Sequence, residues 1–141
     1  MRQGFSLLET VLVLAFFGLF CGLALPHLSG MLDTIEVDAA ANQVVSAHQR
    51  ARLMAQAQGR VMVLTVDSAQ LAIQARGREG FLWSQAGPST DRVSLAGATR
   101  QFTFSPEGLT LGLSNATLDL SRGSARRKVV VSRLGRIRVL R

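Results

Sequence analysis

Glu9 is the residue whose placement most demands a chemical account, a carboxylate inside an almost continuous run of Leu, Val, Phe, Ala and Gly over residues 7–25. A carboxylate in hydrocarbon costs roughly 2.5–3.5 kcal/mol on insertion scales, so it must be protonated, snorkel to the headgroups or find a cation. No basic residue lies within helical reach on its C-terminal side, which leaves another chain to supply one. The second concentration of chemistry is cationic. Residues 122–141 hold Arg122, Arg126, Arg127, Lys128, Arg133, Arg136, Arg138 and Arg141 with no acid, while everything before Arg122 sums to −1, so the basicity is one surface patch. On a strand, Arg136 and Arg138 share a face opposite Ile137 and Val139. Two adjacent guanidinium groups can grip phosphates, pair with acids of a neighbouring protein, or simply solvate an edge strand. Arg126, Arg127 and Lys128 are the further candidates for such contacts. The absence of interleaved aromatics weighs against single-strand stacking.

The remaining polar residues point away from catalysis. His27 and His48 have no Cys or carboxylate at metal or triad spacing, and Ser124 and Ser132 sit in or beside turns with no base in view. Each is read as surface or turn chemistry. Neither phosphate-binding glycine frame is present, and the lone Cys21 has no intrachain disulfide partner. No catalytic residue, metal or cofactor is expected.

The elements that must position these groups follow from composition and period. A chain of 141 residues, 48% hydrophobic and 18% charged with a mean hydropathy of +0.24, suits one domain plus a concentrated apolar segment. That segment has about the 20 residues a helix needs to cross a bilayer. No small-x-small cleavage site closes it, and Leu19-Phe20 before Cys21 is a poor lipoprotein signal. Arg2 before it, and Asp33, Glu36 and Asp38 beyond, put the N-terminus in the cytoplasm and the remainder outside. After Pro26, Val37, Ala40, Val44, Ala47, Ala51 and Met54 form an amphipathic stripe that ends at Gly59. An unbroken helix over residues 5–58 would measure about 80 Å at 1.5 Å per residue.

Beyond Gly59 the period changes to two. Residues 61–66 and 71–74 read as a hairpin, and residues 77–88 as a loop region around Phe81-Leu82-Trp83. Phe102-Thr103-Phe104 and Leu109-Thr110-Leu111 flank a Ser105-Pro106-Glu107-Gly108 turn. Leu118-Asp119-Leu120 and residues 128–131 flank a Gly123 turn, and Gly135 leads into a last strand, Arg136-Ile137-Arg138-Val139-Leu140. The fold class is therefore α+β: a long N-terminal helix, membrane-spanning in its first half, packed on a mostly antiparallel β-sheet or β-sandwich head.

Gly4-Phe5-Ser6-Leu7-Leu8-Glu9, after the short basic leader Met1-Arg2-Gln3, resembles the class III signal of type IV pilins and type II secretion pseudopilins. The resemblance implies cleavage after Gly4 by a prepilin peptidase and methylation of Phe5, with a leader at 1–4, a transmembrane helix at 5–25, its amphipathic continuation at 26–58 and a head at 59–141. It also implies that the missing cation for Glu9 is the N-terminal amine of a neighbouring subunit. Pro26 falls where many pilins carry a helix-kinking Pro. The late Phe-x-Phe-x-Pro-x-Gly turn and the Val-rich strand, Gly turn and Arg-rich strand are similar to the GspH/FimT family, the H-type minor pseudopilins and their FimT-type pilus relatives. Major pseudopilins usually carry an acidic, calcium-binding C-terminal loop, whereas Glu107 and Asp119 here stand isolated.

From this resemblance the expected function is that of a minor pseudopilin of a type II protein secretion system. It would be a single-pass inner-membrane protein with a periplasmic head and no enzymatic activity, partnered by prepilin peptidase and by other minor and major pseudopilins. Gly135-Arg136-Ile137-Arg138 also resembles the Gly-Arg-x-Arg tail of FimT-type minor pilins, so the alternative is a pilus subunit that binds DNA during uptake.

Overall fold

The computed structural model describes residues 6–112 and 115–141, with the backbone alone at 24–27; Gly4 and Phe5 lie outside the described residues. One helix, α1 (Leu7–Gln58), runs through two compact units, Met1–Leu32 and Asp33–Arg141. Ser6 caps it: the Ser6 carbonyl and Oγ accept the Glu9 N–H at 3.1 and 3.3 Å. Glu9 thus occupies the third helical position of a Ser-x-x-Glu sequence, where a negative charge suits the positive end of the helix dipole. Within the first unit the described Leu, Val and Phe side chains from Leu7 to Leu23 are all exposed, and this is a helix long and apolar enough to cross a bilayer. The helical backbone continues through Pro26.

In the second unit α1 buries Val37, Ala40, Ala41, Val44, Ala47, His48, Ala51 and Ala55. The stripe is the expected one, except that Met54 is only partly buried and that Ala41, His48 and Ala55 join it. Gly59 terminates the helix, with the Arg60 N–H donating back to the Ala55 carbonyl at 3.2 Å.

Nine strands follow among the described residues: β1 (Met62–Val66), β2 (Gln70–Ala75), β3 (Trp83–Ala86), β4 (Ser94–Ala96), β5 (Arg100–Phe104), β6 (Thr110–Leu111), β7 (Ala116–Arg122), β8 (Ala125–Val131) and β9 (Ile137–Leu140). They form two antiparallel sheets, ordered β3-β2-β1-β5-β6 and β4-β7-β8-β9. Alternate residues of β1, β5, β7 and β8 point inward: Met62, Leu64 and Val66, Phe102 and Phe104, Leu118 and Leu120, Val129 and Val131 share one core with the helix stripe. The small Ala side chains let the helix backbone come close to these larger residues, and the β-branched and aromatic residues suit the pleated surface.

The four expected pairings, β1 with β2, β5 with β6, β7 with β8 and β8 with β9, are all present. The region 77–88 is a correction. It is not all loop, because Trp83–Ala86 pairs with β2, the Leu82 N–H donates to the Ile73 carbonyl at 2.8 Å, and the Arg50 guanidinium sits 5.0 Å from the Trp83 ring centroid. The hydrogen-bonding need of the β2 edge and this cation–π contact order a segment with no apolar alternation of its own. The short β4 strand and a single 3₁₀ turn, Pro88–Asp91, are likewise additions to the expected elements.

Candidate functional site: an arginine groove between helix and terminal strand

The β8–β9 turn sets the site. The Ser132 N–H donates to the Arg136 carbonyl (2.8 Å), the Gly135 N–H to the Ser132 carbonyl (2.9 Å) and the Arg136 N–H to Ser132 Oγ (3.1 Å). The β5–β6 turn repeats this pattern: Ser105 N–H to the Leu109 carbonyl (2.7 Å), Gly108 N–H to the Ser105 carbonyl (2.8 Å) and Leu109 N–H to Ser105 Oγ (3.3 Å). Gly108 and Gly135 hold φ at +78° and +72°, a left-handed conformation that other residues adopt only with strain. The two Ser-x-x-Gly turns touch, since Thr110 Oγ1 donates to the Arg133 carbonyl at 3.1 Å. Gln56 Nε2 ties the first turn to the last turn of α1 by donating to the Glu107 carbonyl at 3.1 Å.

This junction fixes β9 in register, with Val131 opposite Ile137 and Val130 opposite Arg138. Ile137 is packed against the core, while Arg136 and Arg138 are exposed on the other side. A groove of about 610 Å³ lies there, lined by Arg52 of α1, Val130 of β8, and Arg136 and Arg138, with Ser132, Leu134 and Gly135 at the turn. Among the described residues no carboxylate lies within 4 Å of Arg52, Arg136 or Arg138. Three guanidinium groups with no internal counter-charge make a site for an anionic partner.

The other basic candidates are placed differently. Arg127 makes a two-pronged pair with Asp38, its Nη2 donating to Oδ2 at 3.0 Å, and Lys128 Nζ lies 3.7 Å from Asp119. Arg122 Nε stands 3.0 Å from Asp33. Arg126 is exposed, with its carbonyl accepting from Arg127 Nη1 at 2.8 Å. The structure therefore brings Arg136 and Arg138 together and adds Arg52, while Arg127 is paired with Asp38 of α1 and Lys128 makes an exposed pair with Asp119. Arg52 was not legible as a partner in sequence, because only the packing of α1 against β8 and β9 brings it there.

His48 reverses its sequence reading. It is 2% exposed, its ring edge-on to Phe104 at 4.9 Å and to Phe102 at 5.9 Å, and Nε2 is buried without a hydrogen-bond partner. Burial, reinforced by the nearby Arg52 charge, lowers its pKa from 6.5 to about 4. Its neighbours are rings and a cation, so it packs as a neutral aromatic and not as a base. Among the described residues no group of three His, Cys, Asp or Glu side chains is placed to hold a metal ion.

The comparisons with known proteins agree with this architecture. The family model for the type II transport protein GspH matches residues 40–135, the second half of the helix and most of the head. The pilin-like protein PilA1 of Thermus thermophilus is 32% identical, with 98% of each chain covered. The type IV minor pilin FimU of Pseudomonas aeruginosa, in two crystal forms, shares the fold. One form gives a TM-score of 0.60 at 21% identity over 75% of this chain and 89% of FimU, the other 0.57 at 20% identity over 74% and 92%. With its family match across the head and its relative along the whole length, the chain belongs to the GspH/FimT family of type IV pilin-like proteins.

Proposed function

We propose that the protein is a minor pseudopilin, a non-enzymatic subunit of the periplasmic pseudopilus of a type II secretion system. In this reading it is anchored once in the inner membrane, N-terminus cytoplasmic and head periplasmic, after prepilin peptidase has cut at Gly4 and methylated Phe5. The observation that carries it is α1 itself: exposed apolar side chains from Leu7 to Leu23 with Glu9 as their single charge, in a helix that continues into the core of the head. Such a surface is stable in lipid, or against the same helix of neighbouring subunits. A lone acid there sets the axial register of that packing when it meets a neighbour's amine. Cysteine crosslinking to other pseudopilins in membranes tests this. Glu9→Leu, and equally the isosteric Glu9→Gln, should leave insertion intact and abolish the crosslinks; unchanged crosslinks in both variants would overturn the pairing.

The second reading, a FimT-type minor pilin that binds DNA, is favoured by the three arginines without a counter-charge. It requires duplex binding whose log–log salt slope is about −0.9 per phosphate neutralised, lost in Arg136→Ala and Arg138→Ala. Weak binding at physiological salt, alike in all variants, supports the secretion assignment.

A further inference from the structure

We infer that the open edge of β9 is a docking site for an extended acidic segment of a different protein, with carboxylates at alternate positions, which adds to the sheet as a further strand. Among the described residues β9 pairs with β8 alone. The Ser132 N–H to Arg136 carbonyl bond marks 132/136 as a hydrogen-bonded pair, so 130/138 and 128/140 are hydrogen-bonded pairs as well. The N–H and C=O groups of Ile137 and Val139 therefore face away from β8, an unpaired ladder beside the groove. Arg136 and Arg138 occupy the alternate positions, and their side chains stand on the groove side.

A strand added to this edge would bond to Ile137 and Val139. Its residues opposite Arg136 and Arg138 would then fall in the closely spaced non-hydrogen-bonded sites, where cross-strand side chains approach nearest. Carboxylates two residues apart match that geometry, and Arg52 contributes a third positive charge from the helix. The exposed Val139 and Leu140, together with Leu134 at the turn, offer apolar contact that a phosphate backbone does not use. No aromatic side chain among the described residues lines the groove on which a base could stack.

The partner is not a second copy of this chain. Of its nine acids only Glu36 and Asp38 stand two apart, both lie on α1, and Asp38 is held by Arg127.

The test uses the full chain in detergent micelles and a short synthetic peptide with glutamates alternating with valines. Residue-resolved amide hydrogen exchange should show the Ile137 and Val139 amides, fast in the free protein, slowed by the peptide, while Arg138 and Leu140 change little. The same peptide N-methylated at alternate amides should not protect them. Arg136→Ala and Arg138→Ala should each weaken binding about two- to fivefold, the scale of one cross-strand charge pair. These sites are exposed, and the N-methylated control needs no protein variant. No binding, or binding that leaves Ile137 and Val139 unprotected, overturns the proposal. So does a single-stranded oligonucleotide that displaces the peptide at the same salt and binds more tightly.

Discussion

Arg127 and Asp38, 89 positions apart in sequence, meet in a two-pronged ion pair that fastens β8 to α1, with Arg127 Nη2 3.0 Å from Asp38 Oδ2. The Arg127 side chain is 12% exposed and that of Asp38 43%, so removing one partner is not equivalent to removing the other. Asp38→Ala strands a mostly buried guanidinium and should cost about 2–3 kcal/mol, whereas Arg127→Met leaves only a half-exposed carboxylate and should cost less, about 1 kcal/mol. Denaturant unfolding of both single variants and of the double variant measures the coupling; additive costs, with no coupling between the two sites, would show that the pair does not hold the helix to the sheet.

His48 makes the head sensitive to mild acid. With its pKa at about 4 in the folded state and 6.5 as the ordinary value, the unfolded chain binds more protons between those limits. Stability is therefore fully present above pH 6.5 and falls as the pH is lowered toward 4, by about 2 kcal/mol at pH 5. Arg52 is the charged group that adds to this effect, and the other contacts are the rings of Phe102 and Phe104. His48→Phe keeps an aromatic ring in the same pocket and removes the orphaned Nε2. It should be at least as stable as the parent at pH 7 and lose less stability at pH 5. Parallel pH–denaturant series on the two proteins give the comparison, and identical slopes would assign the acid sensitivity elsewhere.

Gly135 sits where two constraints coincide. Its φ is +72°, and a Cβ there would come within 2.6 Å of Thr110 Cγ2, whereas Gly97 (φ +104°) faces open space. Gly135→Ala should cost about 2–3 kcal/mol and Gly97→Ala about 1 kcal/mol, the backbone strain alone. Thermal unfolding of the two variants separates these contributions. A similar cost at both sites would mean that the Thr110 contact adjusts freely.

The helix and the four principal strand pairings were legible because their signals are local. Val37, Ala40, Val44, Ala47 and Ala51 carry the helical period, Val61 to Val66 alternates ahead of a polar Asp67-Ser68 turn, and Phe102 to Phe104 and Val129 to Val131 flank turns with glycine or proline at the required places. Trp83–Ala86 and Ser94–Ala96 were not legible, since their pairing comes from β2 and β7 and not from their own side-chain pattern. The same limit hid part of the groove. Arg136 and Arg138 declare a shared face through their spacing, but Arg52 belongs to the site only through tertiary packing. His48 read as a surface residue on its polar type alone, although its place four residues after Val44 and three before Ala51 puts it on the buried stripe.

Processing of this chain as a pilin-like subunit is read from the intact mass of the protein purified from membranes after coexpression with a prepilin peptidase. The mass should correspond to a chain beginning at Phe5 and carrying one added methyl group, with the whole of α1 retained. A chain that still bears Met1, or one cut after Ala24 so that the apolar segment is lost, would contradict it.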